Sequence, residues 1–254
     1  MNGLRRLATR TVPDGFPRFG YVLECNGAFV GVLLMIVSGG FGEAASPIRV
    51  NVSSWYVRPE FRVYASLLSL RATSHRPSMF LNITPGRETL PILQAQGFKR
   101  FCDGLFIAFP ALDFRKCRAR VSSRPDQWRA NGSIPKKDLT LLLDHYEFGC
   151  ICVWCETTEF GVPVIFGRRR ILPANIPSVQ LIYCDDIENI NKYLGIVSRL
   201  LFLRGFPIVM IAANGPLEGI RGKYYDDWSR MYFKGPQEPR IGDLSYTEAA
   251  IFGF

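Results

Sequence analysis

The stretch IRVNVSSWYVRPEFRVYASLLSLRATSHRPSMFLNI, at residues 48–83, predicts a strand, a helix and a second strand in immediate succession. Apolar and polar residues alternate over 48–57, which is typical of a β-strand. Pro59 and Glu60 then favour a helix start, because proline fits the first turn and an acid suits the positive end of the helix dipole. A second apolar run at 79–83 completes a parallel crossover, which we expect to be right-handed.

The same order of elements occurs a second time in the chain. A hairpin, GYVLECNGAFVGVLLMIV at 20–37, precedes the first crossover, and its Asn26-Gly27 pair predicts a two-residue turn. A second hairpin, CICVWCETTEFGVPVIF at 150–166, precedes the strand SVQLIYC at 178–184 and a further helix and strand. An internal repeat of this kind predicts two similar lobes.

The expected fold class is α/β (α+β), because each lobe combines one hairpin with one parallel crossover. Each of the two tandem lobes should contain a mixed, mostly antiparallel sheet with helices on its faces. We expect an N-terminal arm with little regular structure at 1–19, lobe 1 at 20–109, a basic linker at 110–135 and lobe 2 at 136–254.

The composition is that of a soluble folded protein, with 48% hydrophobic and 21% charged residues among 254. No segment reaches the roughly 18 apolar residues of a membrane helix, so no membrane span is expected. The apolar run at 28–37 lies too far from the basic residues before it for a signal peptide, and a hairpin turn precedes it. We therefore expect a cytoplasmic protein.

The net charge of +9 is concentrated between Lys99 and Lys137, where ten basic residues face three acidic ones. A solvated linker between the lobes accounts for this pattern. The alternatives are attraction of a phosphate-bearing ligand, of RNA or of an anionic membrane surface.

The chain has seven cysteines, an odd number that argues against a secreted disulfide framework. Cys150, Cys152 and Cys155 resemble part of a zinc site that Cys184 or His145 would complete. Because the three cysteines lie on a predicted strand, buried thiols are the favoured interpretation, and no metal is expected.

Two segments carry a family resemblance. Residues 57–62, VRPEFR, closely resemble the V-x-P-E-[YF]-R motif at the end of the central strand of the GNAT (GCN5-related N-acetyltransferase) acyltransferases. Leu81-Asn82, with the later Gln96-Gly97-Phe98, is similar to a second segment of that family. Together the matches cover about residues 20–108, and the second lobe resembles the fold by repetition. The whole chain resembles a tandem GNAT acyl-CoA acyltransferase.

The resemblance implies acetyl-CoA or another acyl-CoA as co-substrate and a small amine-bearing molecule as acceptor. It also implies that the backbone of residues 53–57 orients the pantetheine arm and that the turn 62–67 holds the pyrophosphate at a helix N-terminus. The cofactor-binding residues carried over are Val57, Arg58, Arg62, Val63, Tyr64, Ala65, Ser66 and Asn82.

The chain departs from the family pattern at the pyrophosphate-binding turn and at the position of the catalytic acid. The family's glycine-rich turn is replaced here by Val63, Ala65 and Leu67, which leaves the arginines as phosphate partners. The tyrosine that protonates the departing thiolate in many members is Leu93 here, and the equivalent position of the repeat is Tyr225, the candidate catalytic acid. The candidate bases are Glu24, Glu60, Glu156, Glu159, Asp185 and Asp186.

Two other functions remain open at this stage. A Fem-type transferase, which pairs two GNAT-like lobes, would use aminoacyl-tRNA and so bind nucleic acid. A non-catalytic GNAT-like binding or scaffold protein would explain the lost glycines and Leu93. The polar tail at 242–248 is a further candidate for lining the site.

Overall fold

The computed structural model describes residues 3–39, 48–75, 78–109, 119–157 and 161–253, so Glu159, Cys117 and the first nine residues of the basic linker lie outside the described residues. The chain forms two compact units. The first contains Met1–Phe101, Ser229–Pro239 and Tyr246–Glu248, and the second contains Cys102–Trp228, Arg240–Ser245 and Ala249–Phe254.

The regular elements follow the predicted order. The helices are α1 Gly3–Thr9, α2 Ala65–Ala72, α3 Leu90–Ala95, α4 Pro125–Ala130, α5 Lys136–Glu147, α6 Ile190–Leu203 and α7 Glu248–Ile251, with short 3-10 helices at Pro59–Tyr64 and Arg87–Thr89. The strands are β1 Gly20–Cys25, β2 Ala28–Ser38, β3 Ile48–Val57, β4 Ser78–Asn82, β5 Lys99–Ala108, β6 Arg120–Ser122, β7 Ile151–Glu156, β8 Gly161–Ile171, β9 Ile176–Tyr183, β10 Ile208–Ala213 and β11 Gly222–Lys234.

The first unit contains a mixed sheet in the order β1-β2-β3-β4-β11, to which β11 contributes its C-terminal half. Its strands pair antiparallel except for the parallel pair β3–β4. Asn26 and Gly27 both adopt positive φ, at 50° and 78°, which confirms the predicted tight hairpin turn between β1 and β2. The mixed sheet and its parallel crossover confirm the predicted fold class.

Helices α2 and α3 cover one face of this sheet. Leu68 and Ala72 of α2 and Leu93 of α3 are buried against Val50 and Val52 of β3. A helix buries such a stripe because residues three or four positions apart lie on the same side. The carboxyl end of β3 is thereby held beside the start of α2.

The strands of the second unit follow the order β11-β5-β10-β9-β8-β7-β6. Here β9 and β10 are the parallel pair, and α6 connects them. The segment of β5 from Gly104 to Ala108 pairs antiparallel with β10, although β5 follows the first repeat in sequence. The second unit therefore includes most of β5, which follows the first repeat in sequence. The first unit includes the C-terminal half of β11, which follows the second repeat.

The predicted arm and the predicted linker both contain regular structure that the sequence analysis did not predict. Helix α1 lies within the predicted arm, and its Leu7 is buried. Strand β6 and helix α4 lie within the predicted linker, where Trp128 is fully buried and its Nε1 donates a hydrogen bond to the Ser122 carbonyl at 3.2 Å. One buried indole anchors a stretch whose many arginines suggested a solvated linker.

The cysteines confirm the interpretation as buried thiols. Cys150, Cys152 and Cys155 are buried at the start of β7 or within it. Burial raises the pKa of the Cys152 thiol, and it raises the pKa of Cys184 to about 12. Over the described ranges, no three His, Cys, Asp or Glu side chains are arranged to hold a metal ion.

A membrane span was not expected from the sequence. Within the described part of the chain, no helix combines the length and the apolar character needed to cross a bilayer.

Gly20 opens β1 under a strict steric constraint. Its φ is +121°, and a Cβ there would overlap the Leu33 carbonyl oxygen on β2. We expect Gly20→Ala to lower the free energy of unfolding by about 2 kcal/mol or more. Urea denaturation measures this loss. Gly86→Ala is the matched control, because Gly86 has an ordinary φ and open space, and an equal loss in both variants would contradict the steric account.

Candidate functional site

A β-bulge divides β3 into two parts with different neighbours. On one edge β3 pairs with β2 along its length, but the register shifts between Val32 and Leu34, and Ser54 adopts a left-handed φ of 46°. On the other edge, Ile48–Asn51 pairs with Ser78–Leu81 of β4. In the described first unit, the ladder with β4 stops there, so the edge of residues 52–57 is open.

The eight predicted cofactor-binding residues all lie in the first unit, next to this opening. Val57 ends β3, Arg58 follows it, and Asn82 ends β4. Arg62, Val63 and Tyr64 belong to the 3-10 helix, and Ala65 and Ser66 begin α2. The crossover therefore brings the predicted residues together at the carboxyl ends of two parallel strands, where α/β folds commonly bind ligands.

The turn between β3 and α2 lacks an open backbone cradle at Ala65. The 3-10 helix runs directly into α2, and the N–H of Ala65 donates to the Arg62 carbonyl. The side chains of Val63 and Leu67 are 79% and 55% exposed at the positions where the family has glycine. An anion at this turn would have to be bound largely by side chains.

Two arginines offer that positive charge. Arg58 Nε lies 3.8 Å from Glu60, and Arg62 Nη2 lies 3.7 Å from Glu88, with both arginine side chains more than half exposed. Exposed pairs at such distances contribute little to stability. Both guanidinium groups can therefore turn towards a phosphate at small cost.

A groove of about 590 Å³ lies between α2 and α3. Ser66 and Leu70 form one wall, and Pro91, Ile92 and Ala95 form the other. At its end the side chain of Gln96 accepts a hydrogen bond from Ser69 Oγ at 2.7 Å and donates one to the Ser66 carbonyl at 3.2 Å. This groove is large enough for part of a small ligand, and its wall begins at a predicted cofactor-binding residue.

A buried carboxylate, that of Glu248, lies against the other face of the sheet. Glu248 is 2% exposed, and its two oxygens accept hydrogen bonds from Thr84 Oγ1, at 2.5 Å, and from the Ser53 hydroxyl. Its backbone N–H donates to Asn51 Oδ1 at 2.7 Å, while Asn51 Nδ2 donates to the Leu81 carbonyl at 3.3 Å. This network links the tail to β3 and to the end of β4.

The network and the helices lie on opposite faces of β3, because alternate side chains of a strand point to opposite sides. Val50 and Val52 face α2, whereas Asn51 and Ser53 face Glu248. The sequence made the polar tail a candidate for lining the site, and Tyr246–Glu248 belongs to the first unit. Glu248 belongs to that tail, but its role as an acceptor was not predicted, since no local pattern connects it with Ser53, 195 positions away.

The candidate acid Tyr225 lies in the second unit, on β11. Its ring stacks on Trp228 with centroids 5.0 Å apart, and Lys223 Nζ lies 5.1 Å from the ring centroid. In the first unit, Leu93 takes the position of the family's tyrosine, and it is fully buried in the core. Leu93 therefore has a packing role.

The described candidate bases mostly serve local structure. Asp186 accepts hydrogen bonds from the Glu188 N–H and the Asn189 amide just before α6, and these bonds lower its pKa. Glu156 accepts hydrogen bonds from Ser133 and Asn131. Glu60 lies in the first turn of the 3-10 helix.

Similarity to known proteins is seen in the three-dimensional structure and not in the sequence. No protein-family model matches the sequence, and no curated protein matches it either. A GCN5-related N-acetyltransferase from Anabaena variabilis aligns with 89% of this chain and 63% of its own, with a TM-score of 0.50 and 9% identity. One from Kribbella flavida aligns with 82% of this chain and 57% of its own, with a TM-score of 0.48 and 12% identity. This chain thus spans less than two thirds of either structure, and the first alignment confirms the GNAT fold predicted from the sequence.

The Glu248 network should stabilise the first unit. We expect Glu248→Ala to lower the free energy of unfolding by about 2 kcal/mol, because it leaves Ser53 and Thr84 without their buried acceptor. Glu248→Gln, which retains one acceptor oxygen, should cost less. Chemical denaturation measures both. The exposed Glu238→Ala is the control, and a Glu248→Ala variant as stable as that control would contradict the network's role.

Proposed function

We propose that this protein is an acyl-CoA-dependent acyltransferase that transfers an acyl group to the amine of a small molecule. The observation that supports this best is the open edge of β3 beyond Asn51, next to a bulge at Ser54. Backbone N–H and C=O groups on such an edge can pair with the amide groups of a pantetheine arm, as they would with another strand.

The surroundings of the opening fit the remaining parts of the donor. Arg58 and Arg62 would bind the pyrophosphate through their guanidinium groups, in place of a glycine-rich backbone turn. The groove between α2 and α3 would take an apolar part of the donor. Val57, Val63, Tyr64, Ala65, Ser66 and Asn82 remain proposed contacts around these groups.

Bound acyl-CoA would supply an activated thioester carbonyl. The acceptor nitrogen attacks that carbon, the carbon–sulfur bond breaks, and the thiolate takes up a proton as the amine loses one. On this proposal the role of Asn51, Ser53 and Glu248 is to hold the two strand ends at a fixed separation. Tyr225 remains the candidate proton donor predicted from the sequence.

A non-catalytic binding protein is the second candidate. It is favoured by the exposed Val63 and Leu67 and by the engaged Ala65 N–H at the turn, which remove part of the usual phosphate site. A Fem-type transferase that uses aminoacyl-tRNA is the third. Calorimetric titration separates the three candidates, because only the acyl-CoA-dependent transferase requires CoA binding. Binding of tRNA by a Fem-type transferase would fall steeply with added salt.

Substitution of Arg62 tests the proposed donor site most directly. We expect Arg62→Ala to weaken CoA binding by about tenfold, because it removes one charge-assisted phosphate contact. Glu88→Ala is the matched variant, since it frees Arg62 from its exposed partner and should leave the affinity equal or higher. Isothermal titration calorimetry measures both. Equal affinities of Arg62→Ala and the wild type for CoA would show that Arg62 does not bind the phosphates.

Tyr225 tests the proton donor separately from binding. If its hydroxyl protonates the departing thiolate, Tyr225→Phe should lower kcat by about a hundredfold and leave CoA affinity unchanged. The measurement is release of free CoA thiol with a panel of amines. Tyr224→Phe, at the adjacent position, is the control. An unchanged kcat in Tyr225→Phe would exclude the role while leaving the enzyme proposal intact.

A further inference from the structure

Three consecutive arginines, Arg168, Arg169 and Arg170, line a pocket in the second unit. The pocket has a volume of about 340 Å³, and Pro177 of β9 and Phe206, which precedes β10, complete most of its wall. Three arginines that line one concave site create a positive potential there. This cluster lies outside the basic stretch between Lys99 and Lys137.

Uncharged groups orient each arginine. The Arg168 guanidinium lies 6.0 Å from the Phe206 ring centroid, and Arg170 Nη1 donates to Asn175 Oδ1 at 3.0 Å. Arg169 Nε donates to Gln180 Oε1 at 2.9 Å, and its Nη2 donates to the Ala249 carbonyl at 3.2 Å. Hydrogen bonds and ring contacts with neutral groups fix the direction of a guanidinium without cancelling its charge.

Within the described ranges, no acidic side chain neutralises the charges of the two outer arginines. Among the described residues, the ion pairs are formed by other arginines, and no carboxylate lies within 4.0 Å of Arg168 or Arg170. Arg168 and Arg170 are two positions apart on β8, so they lie on the same side of the strand. Two exposed guanidinium groups at that spacing can bind one tetrahedral anion together.

We propose that this pocket binds a small phosphorylated molecule, with Arg168 and Arg170 as the phosphate ligands. Phosphate suits the site because it offers several acceptor oxygens to forked donors and carries the double charge that two arginines can balance. Arg169 also lines the pocket, and its guanidinium is held by Gln180 and the Ala249 carbonyl. The pocket volume is that of a small-molecule site. This site is independent of the proposed acyl-CoA site, which lies in the first unit.

Pyrophosphate is the probe for this proposal. Isothermal titration at low salt should show binding to the wild type that weakens by about tenfold or more in Arg168→Ala/Arg170→Ala. Arg129→Ala, an exposed arginine of the same unit on α4, removes the same kind of charge elsewhere and should bind as the wild type does. Asn175→Asp is a nearly isosteric second variant, which places a carboxylate beside Arg170 and should also weaken binding.

The outcomes separate the possible sites. Absence of pyrophosphate binding, or equal binding by the wild type, the double variant and Asn175→Asp, would overturn the proposal. So would binding that is lost in Arg62→Ala and retained in Arg168→Ala/Arg170→Ala, because it would then belong to the first unit. Binding of a single-stranded RNA oligonucleotide without binding of pyrophosphate would also contradict a small-molecule pocket. Thermal melting of each variant confirms that it is folded.

Discussion

The left-handed conformation of Ser54 is the constraint on which the account of the first unit depends. Serine has no intrinsic preference for a φ of 46°, so the surrounding sheet must hold it there. The resulting bulge shifts the register of β3 against β2. It lies beyond Asn51, the last residue of β3 that pairs with β4. One edge of β3 is therefore open at the position where the chain turns into α2. Glu248 occupies the face opposite that helix and fixes the strand ends by hydrogen bonds.

The periodic parts of the fold could be predicted from sequence because their signals are local. Asn26-Gly27 marks a turn whose two residues both need positive φ, and the apolar stripe of α2 repeats at helical spacing. The bulge at Ser54 and the hydrogen bond between Ser53 and Glu248 depend on residues that are distant in sequence. The placement of β5 and β11 segments in both units has the same origin, since strand pairing is decided by the whole sheet and not by a local pattern.

The two units differ in the chemistry of their crossovers, although the order of elements is the same. In the first, arginines flank the turn into the helix, and their partners are exposed acids at 3.7 and 3.8 Å. In the second, Asp185 and Asp186 precede α6, and hydrogen bonds from Glu188 and Asn189 keep the pKa of Asp186 low. Two carboxylates beside this turn disfavour the binding of a phosphate there, because like charges repel. The proposed donor site therefore belongs to the first unit, whereas the positive pocket of the second lies on β8.

Amide hydrogen exchange followed by mass spectrometry, with and without acetyl-CoA, tests the central claim most directly. If the open edge of β3 pairs with the donor, amides between 52 and 57 and those around the start of α2 should exchange more slowly when acetyl-CoA is present. The amides of β1, which lie on the far side of β2, should be unchanged and serve as the internal reference. Slower exchange confined to another part of the chain, or no change at a saturating concentration, would contradict the account.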